Sequence, residues 1–181
     1  MRKRGGFTLI ELLVVIAIIA TLASMIMVTL FKAKQKAKKA AAVTELKALD
    51  VALKQYYQEY ASWPRFMPVV PITQPALETS GFPIEGMVAR VLAGESENGN
   101  NPKRRRFISF SRRDAGGDPV NPWGGRYFVK VDTDYSGEIT AGGGEPSDPP
   151  NSAVRRPVIV WTINPDVPQA DNLHVIGSWK L

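Results

Sequence analysis

The residues whose types and spacing suit chemistry begin near the start of the chain, with Gly5-Gly6 followed by Phe7-Thr-Leu-Ile-Glu11. Glu11 is the one acid in an apolar run that extends to Phe31. A carboxylate in such a run costs about 2.5–3.5 kcal/mol on membrane-insertion scales, so it calls for a partner. Cutting after Gly6 would expose a new amine on Phe7. That amine would lie one helical turn from Glu11 on its own chain, or beside Glu11 of a neighbouring copy.

A second group, Asp132-Thr-Asp134-Tyr-Ser136-Gly137-Glu138-Ile139, sets oxygen ligands at alternate positions ahead of a turn glycine and an apolar anchor. This is the first half of an EF-hand loop, suited to the hard cation Ca2+. Gly143 stands where the closing bidentate acid belongs, and Glu145 comes two residues late. The plainer reading is a hairpin turn whose acids face water. A third group, Lys103, Arg104, Arg105 and Arg106, precedes Phe107-Ile-Ser-Phe110 and Arg112-Arg113. Bases beside aromatics suit nucleic-acid phosphates, while the competing reading is a solvated loop or a contact with acids of a neighbouring subunit.

Catalytic chemistry finds little support. His174 is the only histidine, there is no cysteine, and no triad partner is evident. Gly142-Gly-Gly144 has neither a lysine nor a helix after it, so it reads as a turn and not as a phosphate loop. The expectation is a structural protein with no enzymatic activity. The absence of cysteine also excludes disulfides.

The elements that must position these residues follow from the pattern of the chain. Phe7 to Phe31 is apolar all round and lacks proline, long enough to cross a bilayer core as a helix. Ala17, Ala20, Ala23 and Ser24 permit close helix approach. From Lys32 the chain continues in strong helix formers without a breaker. Val43, Leu46, Leu49, Leu53, Tyr57 and Tyr60 then recur at spacings of three and four, an amphipathic stripe that should pack on a globular domain. Ser62-Trp63-Pro64 ends the helix. The prolines between Pro64 and Pro75 make Arg65 to Gly81 a loop. Pro83 to Ala93 predicts a short amphipathic helix closed by Gly94, and Arg126 to Val131 predicts a strand.

Charge fits a membrane-inserted precursor. The formal net charge of +6 includes Arg2, Lys3 and Arg4, so removing residues 1–6 leaves +3, with the exposed amine keeping the terminal charge. A mildly basic mature chain is weak support for a nucleic-acid partner. The leader charges favour a cytoplasmic N-terminus, although Lys32, Lys34, Lys36, Lys38 and Lys39 flank the other end of the apolar run. That lysine cluster suits either anionic headgroups or plain solvent.

The order of basic leader, Gly6, Phe7, Glu11 and apolar span resembles the prepilin cleavage and methylation motif of type IV pilins and of type II secretion pseudopilins. Asn121-Pro-Trp-Gly-Gly-Arg-Tyr127 and the closing Ser178-Trp179 resemble the Asp-Pro-Trp-Gly-Asn-Pro-Tyr and Ser-Trp of the major pseudopilins. The resemblance implies an α+β pilin fold, a long N-terminal helix packed on a small antiparallel β-sheet. It divides the chain into a leader (1–6), a transmembrane and assembly helix (7–31), its amphipathic continuation (32–62) and a globular domain (63–181).

It also implies cleavage between Gly6 and Phe7 by a prepilin peptidase, methylation of Phe7, and a homopolymer in which Glu11 meets the neighbouring N-terminus. Further implied partners are a membrane platform with its ATPase and minor pseudopilins. The implied location is the bacterial inner membrane, with the C-terminal domain periplasmic. A family calcium site is implied in the loop before Ser178-Trp179, with Asp166 as one ligand and Asp171 nearby, although Val175 stands where the second family acid belongs. A DNA-uptake or adhesive pilin using Lys103 to Arg106 is the alternative function.

Overall fold

The computed structural model describes residues 7–65, 81–132, 135–139, 154–167 and 174–181. The leader, the proline-rich stretch 66–80, Asp134, Gly142 to Gly144 and Asp171 lie outside these residues.

Helix α1 runs from Leu9 to Tyr60. Neither glycine nor proline interrupts it, and Ala, Leu, Lys and Gln dominate its middle. Its apolar portion, Leu9 to Phe31, is about 35 Å long at about 1.5 Å per residue, a match for a hydrocarbon core of about 30 Å. Exposed Leu, Ile, Val and Met side chains surround that portion. The hydroxyls within it are satisfied internally: Thr21 donates to the Ile18 carbonyl, Ser24 to Thr21 and Thr29 to Ile26, each at 2.8 Å. Polar side chains thus add no unsatisfied donor to a surface that suits lipid.

Residues 1–39 and 40–181 form two compact units. In the second, α1 buries Ala42, Leu46, Leu49, Ala52, Leu53 and Tyr56. The stripe differs from the expected one at its edges. Tyr56 is the buried anchor, while Val43 and Tyr60 pack around the margin and Tyr57 stays half-buried. Stepping by three from Leu53 carries the ring into the core, where the Tyr56 hydroxyl meets Asn100 at 3.3 Å. The helix closes with Ala61 at φ 50°, its N–H bonded to the Tyr57 carbonyl at 2.8 Å, just before Trp63-Pro64.

Strands β1 (Phe82–Pro83), β2 (Tyr127–Val131), β3 (Val158–Ile163) and β4 (Val175–Gly177) form one antiparallel sheet in sequential order. Val129 pairs with Val160, and Thr162 pairs with Ile176. Alternation along β2 turns Tyr127, Val129 and Val131 into the core with α1, while Phe128 joins a second apolar cluster. Strand β3 is buried on both faces, contributing Val158 and Val160 to the first cluster and Ile159 and Trp161 to the second. A Cβ on Gly177 would stand 2.2 Å from the Trp179 ring, so the closing Gly-Ser-Trp needs its glycine for the indole to fold back.

The expected helix from Pro83 to Ala93 is shorter. Pro83 belongs to edge strand β1, which proline tolerates, and α2 spans Gly86–Leu92. Gly86 at φ 53° makes the corner, with its N–H donating to Asp118 at 2.6 Å.

Candidate functional site

Thr8 is the N-cap of α1 and Glu11 its third residue, and the two cap each other. The Thr8 N–H and hydroxyl donate to one Glu11 carboxylate oxygen at 2.8 and 2.7 Å, and the Glu11 N–H reaches the Thr8 hydroxyl at 3.3 Å. This Thr-x-x-Glu capping box satisfies backbone donors that a helix start leaves open. The same bonds supply the acid with partners at the membrane-facing end of its own chain. Phe7, 75% exposed, directly precedes the cap. Gly6, the other expected processing residue, lies outside the described residues. A cut before Phe7 would therefore release an amine next to a capped carboxylate, on a helix whose apolar surface is exposed among the described residues.

The basic run is engaged with the chain's own acid. Lys103 pairs with Glu59 at 2.7 Å, and the Arg105 guanidinium contacts the other oxygen of the same carboxylate. Lys103 beside it, followed by Arg105, holds the Glu59 carboxyl below the usual carboxylate range. Arg106 donates to the Ala93 carbonyl at 3.3 Å, and Arg104 sits at φ 51° in the turn. Two of the run's four cations thus share one carboxylate within the chain, which leaves less of the run to a phosphate backbone than the bare sequence suggests.

Asp132 is buried, and its carboxylate accepts the Ser136 N–H at 3.2 Å and the Gly137 N–H at 2.8 Å. Asp132 therefore holds the turn that its sequence suggested for a metal. Ser136 turns its hydroxyl to the Glu138 carbonyl at 3.0 Å. Asp166 accepts the Trp123 indole N–H at 2.6 Å, tying the Pro-Trp-Gly turn to the loop after β3. Among the described residues no three acidic or imidazole side chains converge as a metal site. Asp134 and Asp171, on which the two expected ligand sets depend, fall outside them. His174 is buried, its Nδ1 3.0 Å from the Val167 carbonyl, a packing position.

Sequence reasoning missed two hubs. Glu45 on α1 takes the Ser111 hydroxyl at 2.8 Å and also binds the Arg112 guanidinium and the Tyr127 phenol. Burial, reinforced by the Glu45 carboxylate, pushes the Tyr127 phenol well above its usual range. Arg126, just before β2, meets Asp114 at 2.8 Å, Glu85 at 3.2 Å and Asp118 at 3.7 Å. No spacing in the sequence announces these long-range pairs. Sequence reasoning also missed the capping box, although Thr8-x-x-Glu11 carries its signal.

Comparison with known proteins agrees with this geometry. The family described as "Prokaryotic N-terminal methylation motif" matches residues 1–27. The "Type II secretion system core protein G" of Aeromonas hydrophila is 40% identical over 138 residues, covering 72% of this chain and 80% of that protein. The protein of the same name from Vibrio cholerae is 31% identical over 127 residues, 70% of each chain. The "Type IV major pilin protein PilA" of Myxococcus xanthus is 44% identical over 57 residues, covering 32% of this chain and 26% of that protein. No solved structure matches the chain. With an N-terminal methylation motif, a capped acid at the head of an apolar helix and relatives aligned along most of its length, this chain belongs to the type II secretion system core protein G family, the major pseudopilins.

Proposed function

We propose that this chain is a structural subunit of a type II secretion pseudopilus or a closely related filament. It is stored in the inner membrane, matured between Gly6 and Phe7 by a prepilin peptidase, and polymerised through α1. The observation that carries the reading is Glu11, a lone acid at the head of an exposed apolar helix within the matched methylation motif. An apolar helix is costly in water, so it leaves lipid only for a bundle of like helices. In such a bundle Glu11 exchanges its partner within the chain for the Phe7 amine of a neighbour, which penalises misregistered subunits.

The work of extraction must come from outside the subunit, and a cytoplasmic ATPase acting through a membrane platform is the proposed source. Minor pseudopilins are the proposed partners at the filament end. In this reading the globular domain lies in the periplasm; the basic leader at the opposite end of the apolar span and the family membership support that orientation. The reading assigns the chain no catalytic step.

Mass spectrometry of the native protein tests maturation. The expected mature chain begins at methylated Phe7, and an intact leader in filament-forming cells would reject the proposal. Glu11→Ala should be cleaved and inserted normally yet give a filament yield at least tenfold lower, while an unchanged yield would remove Glu11 from assembly.

A further inference from the structure

We propose that four lysines directly after the apolar segment, Lys32, Lys34, Lys36 and Lys39, form a collar that binds the headgroups of anionic phospholipids and fixes the depth of the membrane-stored subunit. This inference rests on the membrane-inserted reading above. Apolar and basic segments meet without a spacer, since Phe31 is followed at once by Lys32. At about 100° per residue, Lys32, Lys36 and Lys39 share one face of α1 and Lys34 lies on the opposite face, so positive charge is presented on both sides of the helix. Lys32, Lys34, Lys36 and Lys39 are exposed. The collar rises about 10 Å along the helix, comparable to the headgroup layer of about 5–8 Å on each side of a bilayer once lysine side chains reach along the normal.

Its counter-ions must come from outside the helix. Like charges at i,i+4, as in Lys32 and Lys36, oppose helix formation, yet no acid occurs between Glu11 and Glu45. The acids farther along α1 are already engaged within the chain. Glu45 binds Arg112, Asp50 binds Lys54 at 2.7 Å, and Glu59 binds Lys103 and Arg105. Lipid phosphates at the end of the apolar segment supply the missing charge where the helix leaves the hydrocarbon. Each basic residue near an anionic surface strengthens association by roughly fivefold at low salt, and screening removes that gain.

The test uses the full chain reconstituted in phosphatidylcholine bilayers that carry trace spin-labelled phosphatidylglycerol or spin-labelled phosphatidylcholine. The fraction of motionally restricted label reports lipid in contact with the helix. The expected result is a several-fold preference for phosphatidylglycerol over phosphatidylcholine. That preference should fall to about one in 1 M salt and at least halve in the variant Lys32→Gln, Lys34→Gln, Lys36→Gln, Lys39→Gln, which keeps the leader bases, with the total restricted fraction unchanged. Equal association of both lipids with the wild-type chain, despite a normal restricted fraction, would overturn the collar and leave membrane insertion standing. Absence of any restricted lipid would overturn insertion and the collar together. Wild-type selectivity that persists unchanged in the four-glutamine variant would assign lipid preference to other residues and also overturn the proposal.

Discussion

Thr8 and Glu11 carry separable roles on four residues of chain. Thr8→Val keeps the volume but loses the hydroxyl that both donates to and accepts from Glu11, which should cost about 1 kcal/mol at the helix start. Amide exchange at residues 9–12 in micelles is expected to rise by roughly fivefold, with cleavage before Phe7 intact; unchanged protection would show that the cap contributes nothing there. Tyr127 allows a pH test. An unfolded tyrosine releases its proton near pH 10, whereas burial and Glu45 hold the folded phenol protonated to higher pH. Stability is therefore full below about pH 10 and falls as pH rises above it, by up to about 1.4 kcal/mol per pH unit. Denaturant titrations from pH 8 to 11 should show a shallower alkaline loss in Tyr127→Phe than in wild type; Tyr56, also raised by burial, keeps some slope in both. Parallel curves would exclude Tyr127 as the source. Asp132→Ala should destabilise by about 1–3 kcal/mol through its orphaned turn amides, whereas chelation of calcium should leave the melting temperature where it was. A fall on chelation that Asp132→Ala abolishes would turn that turn back into a metal site.

At the scale of elements, local signals were legible where one residue type dictates the backbone and illegible where distant segments meet. Helix α1 was readable because nothing between Phe7 and Tyr60 breaks it, and β2 because its alternation survives in Tyr127, Val129 and Val131. The start of α2 was not, since Pro83 at N1 of a helix and Pro83 on an edge strand look alike in sequence. The choice is made by Gly86 at positive φ and by Asp118, 32 positions away, accepting its N–H. Arg126 joins the same corner by binding Glu85, Asp114 and Asp118 at the head of β2. Replacing it with methionine leaves these carboxylates without their common cation. A loss of about 1–3 kcal/mol is expected, given partial exposure, or a few degrees in melting temperature. The Asp118 N–H and then Arg126 hold the Asp114 carboxyl below the usual carboxylate range, so the deficit should shrink as pH falls through that lowered range. A deficit that stays constant from neutral to strongly acidic pH would mean that Arg126 acts by packing alone.

At the scale of the whole molecule, the two units have different reasons to be folded. No buried hydrophobic residue of the described chain precedes Ala42, and both apolar clusters are built from Ala42 onward. Leu9 to Phe31 form an apolar helical segment whose described side chains are exposed. Its stability must come from lipid or from neighbouring helices. A chain beginning at Ala40 should therefore remain soluble and unfold cooperatively. Its melting temperature should lie within about 4 °C of the full chain in detergent, because a larger shift would require more than about 1–2 kcal/mol from the missing segment. The same fragment should form no filaments and should not enter filaments of the full chain, having lost Phe7, Glu11 and the apolar surface that bundles. Scanning calorimetry and negative-stain imaging read the two properties independently. A fragment that melts far below the full chain would show that the globular fold depends on the membrane helix, and one that still polymerises would move the assembly determinant into residues 40–181.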